Sequence, residues 1–70
     1  MGIADVRDAF QRGLGSSGTC MEARMDYELG GATQMLTFVV PGRGEVKVSV
    51  AAGDDLMAAA EAAGRGMAST

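Results

Sequence analysis

An α+β fold in the order α-β-β-β-α is the architecture this sequence predicts, and three observations carry it. Apolar residues recur at helical spacing near the start of the 70-residue chain, and they alternate with period two through its middle. An Ala-rich stretch preceded by two aspartates follows. Seventy residues make one domain, so the expectation is a single unit: a three-stranded antiparallel meander with two helices packed on one face.

The first helix is expected over residues 3 to about 13. Ile3, Val6, Phe10 and Leu14 fall on one stripe, while Asp5, Arg7, Asp8, Gln11 and Arg12 take the other face. Gly13, Gly15 and Gly18, with Ser16 and Ser17, are expected to end it and form a flexible loop.

From Thr19 to Leu29 the period changes to two. Met21, Ala23, Met25, Tyr27 and Leu29 are expected inside, with Cys20, Glu22, Arg24, Asp26 and Glu28 outside. Gly30-Gly31 suits a two-residue hairpin turn. That turn sets Met25 opposite Leu36 and Ala23 opposite Phe38. Because cross-strand partners share a face, Leu36, Phe38 and Val40 go inward, and Met35, Thr37 and Val39 lie outward. The third strand, Gly44 to Ala51, points Val46, Val48 and Val50 inward. A two-residue Pro41-Gly42 turn would pair Phe38 with Glu45 and bury a charge; the three-residue loop Pro41-Gly42-Arg43 pairs Phe38 with Val46 and is preferred. A second helix is expected from about Asp54 to Gly64 or Met67. Asp54 or Asp55 caps it, and Leu56, Ala59, Ala60, Ala63 and Met67 form its buried stripe.

Composition narrows the chemistry. There is no His, which removes the commonest general base and metal ligand. Cys20 is the only cysteine, so neither an intrachain disulfide nor a Cys–His pair can form. Gly13-Leu14-Gly15-Ser16-Ser17-Gly18 matches the spacing G-x-G-x-x-G, but it follows a helix and opens a strand, the reverse of what pyrophosphate binding needs. Asp26 with Glu28, and Asp54 with Asp55, read as solvated and capping carboxylates rather than acid–base or metal pairs. The expectation is a chain that is no enzyme and takes no cofactor or metal.

A net charge of −3 works against direct nucleic-acid binding and favours a protein partner with a basic surface. The residues expected to meet it are Glu22, Asp26, Glu28, Asp54 and Asp55. Met35, Thr37 and Val39, an apolar stripe inside a charged rim, are the expected face for a homodimer or larger homo-oligomer. No apolar run approaches membrane-spanning length and the start lacks a signal-peptide pattern, so a cytoplasmic location is expected.

The element order resembles a double-stranded-RNA-binding domain. In that family lysines open the second helix, whereas Asp54 and Asp55 stand there in this chain, so the sign is reversed. Small size, acidity, a short antiparallel sheet and an Ala-rich helix also resemble phage-encoded inhibitors, including anti-CRISPR proteins. That resemblance implies an interaction protein that presents acidic surface to a basic, nucleic-acid-binding partner. A homo-oligomeric assembly protein is the alternative, and a degenerate nucleic-acid-binding domain the third.

Overall fold

The computed structural model describes residues 2–27, 33–51 and 53–69. Helix α1 (Ile3–Leu14) leads through a 3-10 turn (Gly15–Ser17) to strands β1 (Glu22–Tyr27), β2 (Thr33–Val40) and β3 (Gly44–Ala51), and helix α2 (Leu56–Ala68) follows. The strands form one antiparallel sheet in the order β1-β2-β3. The predicted α-β-β-β-α order and the antiparallel meander are therefore the observed ones.

The register also agrees. Met25 faces Leu36 and Ala23 faces Phe38; Phe38 faces Val46 and Leu36 faces Val48. The β2–β3 connection is the three-residue loop Pro41-Gly42-Arg43. Arg43 N–H donates to the Val40 carbonyl (3.0 Å), and Gly42 has φ +85°. Proline then glycine with positive φ at the two central positions is what a type II turn requires. The expected Gly30-Gly31 turn lies outside the described residues.

Leu36, Phe38 and Val40 meet Val6, Phe10 and Leu14 of α1, with Ala60 of α2 completing the core. The Phe10 and Phe38 rings stack at 4.1 Å and 9°, joining α1 directly to the central strand. The two helices approach so closely that a Cβ on Gly13 would overlap the Glu61 carbonyl oxygen, and one on Gly64 would overlap that of Phe10. Gly13 is thus a helix-crossing residue inside α1, not the start of a loop. At the entrance to α1, the Asp5 carboxylate accepts from Gly2 N–H (3.0 Å), a reach-back contact that satisfies an otherwise orphaned donor.

Three further expectations need correction. Strand β1 begins at Glu22, not Thr19, and the inside–outside pattern inverts at its start: Cys20 is buried (7% exposed) and Met21 exposed (63%). Met21 N–H donates to the Val39 carbonyl (2.9 Å), while Glu22 is the residue that faces Val39 in the ladder. Two residues therefore sit opposite one, as in a β-bulge, and the parity of everything before Glu22 shifts by one. The loop after α1 is not slack either. Gln11 Nε2 donates to the carbonyls of Gly15 (3.1 Å) and Gly18 (3.0 Å), and Gln11 Oε1 accepts from Cys20 N–H (2.7 Å). Thr37, expected on an open face, is only 5% exposed. Its cross-strand neighbours are Arg24 and Lys47, long side chains whose stems cover apolar surface.

Candidate functional site

The outer sheet face is organised in three rows across the strands: Glu22–Val39–Glu45, Arg24–Thr37–Lys47 and Asp26–Met35–Ser49. Met35 and Val39 are half-buried, and the Ser49 hydroxyl donates to the Met35 sulfur at 3.9 Å. The expected apolar stripe is on the predicted face, but charge and hydroxyl groups crowd it. Arg24 and Lys47 both reach Glu45, at 3.5 and 3.9 Å. Such exposed pairs contribute little stability; their consequence is that Arg24 and Lys47 share Glu45 as a partner while staying open to solvent.

The candidate acidic residues divide between the two ends of the sheet. Glu22 and Asp26 are four residues apart along β1, about 13 Å at the usual strand rise. Asp26 lies in the row of Ser49, close to where β3 ends at Ala51. Asp54 N–H donates to the Ala51 carbonyl (3.1 Å), so Asp54 and Asp55 sit at the same end of the sheet as Asp26. Glu22 sits at the other end, beside Val39 and Glu45. Glu28 lies outside the described residues. The meander puts Asp26, Asp54 and Asp55 at one end of the sheet, whereas a linear reading groups Asp26 with Glu22.

The cations are arranged the opposite way. No Lys or Arg occurs between Arg24 and Arg43, or between Lys47 and Arg65. Asp26, Asp54 and Asp55 all fall within these two stretches. Arg43 stands at the other end, where its guanidinium donates to the carbonyls of Ser17 (3.4 Å) and Met67 (2.7 Å). Arg65, in the last turn of α2, pairs with Glu61 (2.7 Å). Charge is therefore graded along the strands, and among the described residues Asp26, Asp54 and Asp55 make no ion pair.

Asp55 has a second duty. Its carboxylate accepts from Met57 N–H (2.9 Å) and Ala58 N–H (3.3 Å) as the N-cap of α2, which confirms the capping expected there. Asp54, exposed beside it, makes no side-chain contact among the described residues. Cys20 is buried, its Sγ donating to the Glu22 carbonyl (3.3 Å); burial pushes its thiol pKa up, against smaller opposing effects from backbone hydrogen bonds and Arg7. Among the described residues no group of three or more His, Cys, Asp or Glu side chains is placed to hold a metal, and no helix is long and apolar enough to cross a membrane.

One feature escaped the linear reading. A cleft of about 200 Å³ opens between the first turns of α1 and the start of β1, lined by Ile3, Ala4, Arg7, Met21, Glu22 and Ala23. Ile3 (38%) and Met21 (63%) are the exposed large apolar side chains of the described residues. The bulge that turns Met21 outward creates it, and no periodic pattern announces a bulge. Comparisons with family models, with curated proteins and with solved structures found no match.

Proposed function

We propose that the chain is a non-catalytic interaction protein that binds a basic, nucleic-acid-binding surface of a partner protein through the acidic end of its sheet. A phage-type inhibitor, anti-CRISPR-like in its mode of action, is the concrete form of this reading. The observation that supports it is the charge distribution: Asp26, Asp54 and Asp55 share one end of the sheet, and the stretches 25–42 and 48–64 that carry them hold no Lys or Arg. A surface of one sign steers association with a surface of the other and keeps phosphate away.

The reading is tested by using the tagged chain to capture proteins from the heparin-retained fraction of a host lysate, which is enriched in basic nucleic-acid-binding surfaces. The wild type should retain a discrete protein that elutes as salt is raised. The double variant Asp26→Lys/Asp54→Lys should lose it, while Glu22→Lys, at the opposite end, should keep it. Asp54 is chosen over Asp55 because it does not cap the helix. Equal retention by wild type and the double variant would refute the electrostatic reading.

A further inference from the structure

We propose that the free edge of β1 is the seam of a homodimer, in which β1 pairs antiparallel with β1 of a second copy to give a six-stranded sheet. An edge strand carries unpaired backbone N–H and C=O groups and is a ready template for another strand. In this sheet β1 and β3 are the two edges. β1 is singled out because Ile3 and Met21, the exposed large apolar side chains of the described residues, stand beside it and line one cleft. Among the described residues no such side chain flanks β3.

The charges on β1 select the occupant and the register. Residues facing each other in an antiparallel pair lie on the same face, and opposite charges there are favourable while like charges are not. A two-fold axis through Arg24 would set Arg24 against its own copy and Glu22 against Asp26. An axis through Met25 sets Arg24 against Asp26 of the second copy, twice by symmetry, and pairs residues 23–27 of the six-residue strand. An axis through Ala23 also opposes charges, Glu22 with Arg24, but pairs only residues 22–24. Within the described strand the Met25 register combines long overlap with complementary charge, and this self-complementarity points to a second copy of the chain. The cleft lining includes Ala23, one limit of the paired segment, so the seam ends at the rim of the cleft.

Asp26 belongs to both the seam and the acidic end, so the two proposals are told apart at Arg24, which only the seam uses, and at Asp54, which only the acidic end uses. Sedimentation equilibrium of the full chain should show a monomer–dimer equilibrium below about 1 mM, the range in which weak association is measurable. Arg24→Asp and Asp26→Arg should each weaken dimerisation about tenfold, since each turns two attractive pairs into repulsive ones. The double variant Arg24→Asp/Asp26→Arg should restore it, and Met21→Lys should weaken it. A monomer throughout that range, single variants that dimerise like the wild type, or a double variant that fails to recover would each overturn the proposal. Arg24→Asp leaves the acidic end intact, so its capture of a heparin-retained protein reports on the proposed function separately from the dimer.

Discussion

Replacing Gly64 by Ala tests the helix crossing directly, because two effects of opposite sign compete at that position. Alanine is favoured over glycine in a helix interior by about 1 kcal/mol. Against that, the new Cβ would overlap the Phe10 carbonyl oxygen and lie 2.7 Å from Leu14 N and 3.1 Å from Gly13 C. These are backbone atoms of a helix, so no rotamer change relieves the overlap, and α1 and α2 must part by about 1 Å. A gap of that size forfeits a quarter to a half of each dispersion contact along the seam. Overpacking of this kind costs up to about 3 kcal/mol, so the net destabilisation reaches about 2 kcal/mol at the upper end. For a domain of this size that corresponds to a fall in Tm of roughly 8–16 °C. Gly66→Ala is the internal control. It lies two residues along the same helix, and its Cβ meets nothing within 4 Å, so it should stabilise by about 0.5–1 kcal/mol. Thermal and urea unfolding followed by far-UV circular dichroism will read both. If Gly64→Ala melts at or above the wild type, the close crossing is not as described.

Two further outcomes follow from local geometry. Asp55→Ala should destabilise by about 1 kcal/mol through loss of the α2 cap, whereas Asp54→Ala should stay within about 0.5 kcal/mol; urea midpoints separate the two. Burial raises the Cys20 thiol pKa above its ordinary value of 9.0, so the fold favours the neutral thiol. That contribution is fully present below pH 9.0 and is lost as pH rises through the higher folded value. The wild type should therefore lose stability more steeply than Cys20→Ala in urea midpoints taken from pH 7 to 10; parallel curves would contradict it.

Much of this fold was legible because two rules constrained each other. Period-two alternation named the strands but left β2 ambiguous, and hairpin register resolved it: placing Phe38 against both Ala23 and Val46 is consistent with a single buried face. A cap by Asp54 or Asp55 was legible for a similarly local reason, and the structure assigns it to Asp55. What failed was non-local. The β-bulge at Met21 depends on how the chain leaves α1, where Gln11 holds the Cys20 amide, and no property of residues 19–22 alone specifies it. Gly13 looked like loop punctuation because its reason for being glycine, the backbone of α2, is supplied by a segment roughly fifty residues away. The candidate site suffered in the same way. Its acidic residues were identified one by one, but only the meander shows that Asp26 belongs with Asp54 and not with Glu22.

The backbone-to-backbone crossing of α1 and α2 also bears on how the domain comes into being. Because each helix supplies the surface that the other needs, neither is expected to persist alone; short isolated helices are marginal in water. The loop closed by this crossing spans nearly the whole meander, so its entropy must be spent before Phe10 and Phe38 can stack. Assembly therefore favours an all-or-none event in which hairpin and helix pair form together, and a local opening at the crossing unravels the core with it.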